Sequence, residues 1–255
     1  MLTDVSSKRQ QPKASSRERR TNEEHRETSV AAVLAAAQYL FTTQGYAATT
    51  TTQIGDLAGL SKGAVYFYFE DKEALLHALI DRVREAVLMP TLEILVTADD
   101  PIQRIEGMLD FSLKTATENP AMMLLPIGIT IEFPSGTRPE RRVQAGYRLV
   151  SASLARTISE GQASGQLRAD LSPDELASTV IAASDGVMLE CLRQELRVNA
   201  ERFARATAFV VLAGLGAETS RHAPVPPVGD GPSIRELLRA QLPNPSDDIV
   251  GNRKE

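Results

Sequence analysis

Residues 45–69 admit few folds, because helix-stopping residues recur there before any helix can grow long enough to stand alone. Val33, Ala37, Leu40 and Phe41 recur at helical spacing in a pattern that begins near Glu27. Gly45 ends that pattern, since glycine takes the left-handed cap conformation cheaply. The run Ala48-Thr49-Thr50-Thr51-Thr52 disfavours a helix interior, but Thr50 is a sound N-cap. Ile54, Leu57 and Ala58 give the next helix a buried face, and Gly59-Leu60-Ser61 breaks it. A third short helix is predicted from Lys62 to about Phe69, with Val65 and Phe69 in the core. Helices this short are not stable in isolation, so the longer first helix must brace them and leave an outer face free.

Two short helices joined by a glycine-containing turn, behind a longer bracing helix, form a helix-turn-helix. The last helix of such a unit fits the DNA major groove and meets base edges with its N-terminal residues. Seven of the twelve Phe and Tyr residues fall here: Tyr39, Phe41, Tyr46, Tyr66, Phe67, Tyr68 and Phe69. Tyr66, Phe67 and Tyr68 cannot all be core on so short a helix, so at least one ring should be exposed.

The rest of the chain reads as helical, with no strand pattern and no repeat. Asp71 caps a long helix through about Val96, kinked by Pro90. Pro101 to about Glu118, the apolar stretch 121–133, and Arg138 to Glu160 follow. Ser172-Pro173-Asp174-Glu175 is a capping-box start, and Asn199 caps the last long helix. The expected organisation is a flexible basic and polar arm (1–25), a helix-turn-helix domain (26–71), a ligand-binding and dimerisation domain (72–221) and a tail (222–255). That tail is rich in Pro and Gly, with a short amphipathic helix from Ser233 to about Leu242.

Charge and composition narrow the function. The net charge of −5 excludes a general polyanion binder, although residues 1–72 carry nine Lys or Arg against eight Asp or Glu. One cysteine, Cys191, excludes an internal disulfide, and three dispersed histidines leave little material for a metal site. No apolar run reaches the roughly 18 residues of a membrane span. A cytoplasmic protein with no metal and no cofactor is expected.

The run Ala58-Gly59-Leu60-Ser61-Lys62-Gly63-Ala64-Val65-Tyr66-Phe67-Tyr68-Phe69, with Gly45-Tyr46 and Ala48-Thr49-Thr50 before it and Lys72-Glu73-Ala74-Leu75-Leu76 after it, resembles the DNA-binding domain of TetR-type bacterial regulators. The resemblance implies an all-α homodimer, with three DNA-binding helices and a ligand-binding and dimerisation domain of about six more. It implies phosphate contacts from Thr50, Thr51 and Lys72, and a base contact from Thr52. Ser61, Lys62, Gly63 and Ala64 match the front of the recognition helix, and Tyr66, Phe67 and Tyr68 its groove face. Position 68 is often histidine in the family and position 64 often threonine, so the site carries over and no operator sequence does. Lys72, in the first turn of a helix, either meets a phosphate or reaches solvent.

A dimeric repressor needs a switch, and an enclosed apolar cavity would supply one. Met108, Phe111, Met122, Leu125, Ile129, Phe133, Tyr147 and Met188 are candidates for its lining or for plain core. Asp185 and Glu132, acidic within apolar helices, would meet a polar ligand group or lie at the surface. Leu176, Val180, Ala183, Val187, Phe203, Ala206, Val210 and Ala213 form stripes suited to a dimer interface or to internal packing. The expected partners are double-stranded operator DNA, a small apolar or amphipathic effector and a second copy of the chain, with no membrane. The alternative is a DNA-binding regulator, repressor or activator, without a small-molecule effector and controlled by a protein partner, with residues 222–255 a candidate docking segment. An enzyme fares poorly, because no phosphate loop, metal cluster or nucleophile–histidine pair is present.

Overall fold

A computed structural model of the chain describes residues 16–193, 200–217 and 234–242. Among them are eleven α-helices and no strand. The head comprises α1 (Ser16–Gln44), α2 (Thr51–Leu57) and α3 (Lys62–Tyr68). The body comprises α4 (Lys72–Val83), α5 (Met89–Thr97), α6 (Pro101–Glu118), α7 (Pro120–Glu132), α8 (Arg138–Ala163), α9 (Pro173–Arg193) and α10 (Ala200–Gly214). The tail contributes α11 (Ile234–Ala240). Cys191's side chain, Asn199, His222 and the Pro/Gly-rich segment 224–232 lie outside the described residues.

Local chemistry sets most helix starts. Thr50 accepts from the Gln53 amide while the Gln53 side chain accepts from the Thr50 amide, a reciprocal cap worth about 1 kcal/mol. Ser61 caps α3 through the Ala64 amide, Asp71 caps α4 through the Ala74 amide, and Ser172 pairs with Glu175 ahead of α9.

Two expectations are corrected. The helix expected from Glu27 begins at Ser16, so residues 16–25 are helical rather than part of an unstructured arm. Arg and Glu are good helix formers, and pairs such as Glu23–Arg26 (3.3 Å) support these polar first turns ahead of the apolar stripe. The helix expected from Asp71 to Val96 is interrupted by a π turn, Arg84–Leu88, in which the Met89 amide reaches the Arg84 carbonyl. Pro90 has no amide to donate four residues back, and a wider turn ahead of it lets the chain continue.

The head does not pack alone. Val33, Ala37 and Phe41 of α1, Ile54 of α2, Val65 of α3 and Leu75, Leu76 and Leu79 of α4 share one buried cluster with Leu125 and Ile129 of α7 and Val143 of α8. Gly55 makes the head turn possible: a Cβ there would sit 2.9 Å from the Leu60 carbonyl oxygen. A second cluster joins α5, α6, α8, α9 and α10 around Leu154 and Ile158. A third joins α7 and α9 to Leu238 of α11, which is 1% exposed.

Candidate DNA-binding surface and effector cavity

Val65 is 1% exposed and anchors α3 inward, so the opposite side of the helix faces out. Phe67 there is 79% exposed, edge-on to Tyr68 with ring centroids 5.1 Å apart. Tyr66 is also exposed, its hydroxyl 3.1 Å from the Thr51 hydroxyl and its ring 5.9 Å below the Lys62 ammonium. Thr50, Thr52, Ser61, Lys62 and Gly63 are exposed, and Thr51, Ala64 and Tyr68 half-buried. The sequence-assigned residues of α2 and α3 therefore lie together on one surface, tied across the turn by Thr51 and Tyr66.

Lys72 is neither extended into solvent nor left free. Its ammonium donates to the carbonyls of Tyr46 (2.7 Å) and Thr49 (2.8 Å) and lies 4.2 Å from the Tyr46 ring centroid. Burial pulls its pKa below the ordinary lysine value, opposed by the Glu132 carboxylate. It closes the C-terminal end of the α1–α2 turn, just ahead of Thr50. One N–H remains for a further acceptor.

Glu132 lies at the surface and does not line the cavity, and it is bonded there. Its carboxylate accepts the amides of Tyr46 and Ala47, both at 3.1 Å. Tyr46 in turn stacks between Phe41 (5.1 Å) and Phe133 (5.0 Å). The end of α7 is thus bonded to the turn that leads into the DNA-facing residues. Nothing in the spacing of Glu132 signals this; its partners lie some eighty-six residues away in sequence.

The body holds a partly open cavity of about 190 Å³ between α4, the π turn, α5, α6, α7, α8 and α9. Six candidates line it: Met108, Met122, Leu125, Ile129, Tyr147 and Asp185. Three do not. Phe111 is half-buried away from it, Phe133 packs on Tyr46, and Met188 is buried in the cluster under α11. Sequence reasoning missed Arg84, Arg142, Thr91 and Ser184 on the cavity wall. Arg142 donates to Asp81 and to the His77 ring and carbonyl (3.2 and 3.3 Å), fastening α8 to α4. Arg84 makes no ion pair among the described residues.

The Tyr147–Asp185 pair is also part of the wall. Burial, together with the Asp185 charge and hydrogen bond, pushes the Tyr147 phenol well above its ordinary range. Burial also pushes the Asp185 carboxyl up, and its hydrogen bond with Tyr147 opposes that shift. A ligand here meets a mainly apolar pocket whose wall also carries a phenol–carboxyl pair and two guanidinium groups.

The stripes expected at a dimer interface divide. Leu176, Val180 and Val187 of α9 are 6%, 2% and 6% exposed, packed inside the protomer, because α9 turns them toward α8 and α7. They are core, and Ala183 is half-buried. Ala206, Val210 and Ala213 of α10 face outward with Phe209, Val210 being 66% exposed. The side chain of Phe203 lies outside the described residues.

No described helix is long and apolar enough to cross a membrane. Comparison with known proteins finds two family models. One, described as bacterial regulatory proteins of the tetR family, matches residues 33–79; the other, described as BetI-type transcriptional repressor, C-terminal, matches residues 101–215. The solved structure of the MbdR regulator from Azoarcus sp. CIB is 32% identical, covering 73% of this chain and 98% of that one with a TM-score of 0.68. The HTH-type transcriptional repressor KstR2 of Mycolicibacterium smegmatis is 23% identical over 179 residues, 69% of this chain and 85% of KstR2. The nucleoid occlusion factor SlmA of Haemophilus influenzae is 24% identical over 169 residues, 64% of this chain and 74% of SlmA.

Proposed function

The chain belongs to the TetR family of bacterial transcriptional regulators, and on that footing we propose that it is a ligand-responsive repressor. It binds a palindromic operator as a homodimer and is released by a small apolar or amphipathic effector. The observation that carries the reading is the exposure of Phe67 beside Lys62 and Tyr66, on a helix whose other side is sealed by Val65. An aromatic ring left this open in the protomer suits contact with thymine methyl groups in the major groove. Thr50, Thr51, Thr52, Ser61, Lys62, Gly63, Ala64, Tyr66, Phe67, Tyr68 and Lys72 form the contact surface. Lys72 shapes the turn with two N–H groups and offers the third to a phosphate.

The outward face of α10, with Phe209 and Val210, is the dimer seam in this reading. Pairing there sets two α3 helices about 34–36 Å apart, one turn of DNA. The effector lies in the α4–α9 cavity, its apolar body against Met108, Met122, Leu125 and Ile129. A hydroxyl or carbonyl group bonds the Tyr147–Asp185 pair. Met122, Leu125 and Ile129 lie on α7, the helix that ends in Glu132, so displacement of α7 reaches the turn ahead of Thr50. Reversing a 99:1 equilibrium asks for about 5.5 kcal/mol of differential affinity, within reach of a buried amphipathic ligand.

A gel-shift with DNA from the chain's own gene neighbourhood, followed by a screen of amphipathic compounds for loss of the shift, tests both halves. A dimer that shifts no such DNA at low salt would overturn the operator reading. A shift that no cavity-binding compound reverses would favour control by a protein partner instead.

A further inference from the structure

A second cavity of about 250 Å³ lies outside the effector pocket, where the head, the body and the tail meet. Its wall takes Gln38 and Tyr39 from α1, Arg82 from α4, Asn119 and Ala121 from the α6–α7 junction, and Leu238 and Gln241 at α11. Among the described residues the lining holds one cation and no acidic side chain. Arg82 is half-buried and has no hydrogen-bond or ion-pair partner among the described residues. Solvent still reaches its nitrogens, so the guanidinium is free to take an acceptor that enters the cavity.

The start of α7 also favours an anion. The first turn of α7 has no side-chain cap, so the positive end of a thirteen-residue helix opens at Ala121. The Gln38 amide donates to the Asn119 side-chain oxygen at 3.5 Å, which leaves the Asn119 amide nitrogen to serve as a donor. The Tyr39 hydroxyl is another polar group of the wall. The Gln241 side chain donates to the Glu118 carbonyl at 2.9 Å, and Leu238 is buried against α7, so α11 forms one side of the cavity. This side comes from beyond the stretch matched by the C-terminal family model, which ends at residue 215.

We propose that this cavity is a binding site for a small oxyanion, a carboxylate or phosphate group, held by Arg82, Asn119 and the start of α7, and that its occupancy clamps α11 onto the body. The site is separate from the effector cavity and does not depend on the operator reading. Because Gln38 and Tyr39 belong to α1 and Arg82 to α4, a bound anion would also brace the head against the body.

The test titrates the full chain with inorganic phosphate and, separately, with succinate, against sodium chloride at matched ionic strength. Calorimetry gives the affinity and amide hydrogen exchange the protection of residues 234–242. Saturable binding of either anion is expected, with slower exchange in α11; the anion preferred tells phosphate from carboxylate chemistry. Arg82→Gln should weaken binding by about tenfold or more, and Arg82→Lys by less. Leu238→Asp, which undocks α11 and leaves the clusters around Ile54 and Leu154 untouched, should weaken it as well. Absence of saturable binding by both anions, equal affinity in a folded Arg82→Gln variant, or unchanged exchange in α11 would each overturn the proposal.

Discussion

Glu132, the last residue of α7, accepts the backbone amide of Tyr46 in the α1–α2 turn at 3.1 Å, and that of Ala47 at the same distance. A carboxylate holding two successive amides makes the turn part of α7's framework. Hydrogen bonds to charged groups contribute about 1.5–3 kcal/mol when buried, and this exposed pair should contribute roughly 1 kcal/mol. Glu132→Ala should therefore speed hydrogen exchange at the Tyr46 and Ala47 amides by roughly fivefold, while Leu154 and Ile158 in α8 keep their protection. Unchanged exchange at both amides would mean that the turn holds itself and that α7 has no grip on it.

Gly45 sits at φ +90°, and a Cβ there would lie 2.8 Å from a Glu132 carboxylate oxygen. Gly45→Ala should cost about 1–2 kcal/mol from the left-handed backbone alone, and more from the contact. In a Glu132→Ala background the contact is gone, so the same substitution should cost less. Urea unfolding of the four chains in the cycle measures the difference. Strict additivity would show that the carboxylate swings aside freely.

Phe67 and Val65 lie two residues apart on α3 and should respond in opposite ways. Val65→Ala empties a core position and should lower stability by about 2 kcal/mol. Phe67→Ala should leave the urea midpoint unchanged and weaken operator binding severalfold, because its ring is 79% exposed. Loss of stability in Phe67→Ala would place that ring in the protomer's own packing and remove it from the DNA surface.

Val210 on α10 is 66% exposed, and Leu176 on α9 is 6% exposed. Val210→Asp should yield a helical monomer in sedimentation, with operator binding lost. Leu176→Asp should instead unfold the body, since a carboxylate placed in that cluster has no partner. A Val210→Asp chain that remains a dimer would move the seam to another face.

Four helix starts were legible because their signals are local: Thr50, Ser61, Asp71 and Ser172 each cap the helix that follows through hydrogen bonds no more than three residues away. The surface of α2 and α3 was legible for the same reason, since Val65 fixes the inward side of a very short helix. Assignments that depend on distant packing were not. Met108 and Met188 look alike in sequence, yet one lines the cavity and the other is buried under Leu238, which only the docking of α11 decides. The apolar stripe of α9 was readable, but its direction was not; Leu176 and Val180 are buried in the protomer's own core, and Ala183 is half-buried. Arg84 and Arg142 escaped notice because long cationic side chains reach cavities from helix faces that read as solvent-exposed. Gly55 reads as a weakness inside a short helix, whereas the Leu60 carbonyl beside it leaves no room for a side chain.

Asp185 supplies a pH test of the cavity. Its folded carboxyl holds the proton to higher pH than an unfolded aspartate, whose pKa is about 3.9, because burial outweighs the hydrogen bond with Tyr147. Between those two values the folded chain binds more protons than the unfolded one, so stability falls as pH rises through the window. Asp185→Asn keeps an acceptor for the Tyr147 hydroxyl and does not titrate. Relative to that variant, the unsubstituted chain should be at its best below the ordinary carboxylate range, lose ground as pH climbs, and level off once Asp185 is ionised in both states. Tyr147 titrates far above this interval and leaves the comparison clean. Urea midpoints of both chains across the acidic range report the difference directly. If the unsubstituted chain instead gained on the Asp185→Asn variant as pH rose, the carboxylate would be held as an anion by a cation at the cavity, and the neutral polar wall assigned to the effector would be wrong.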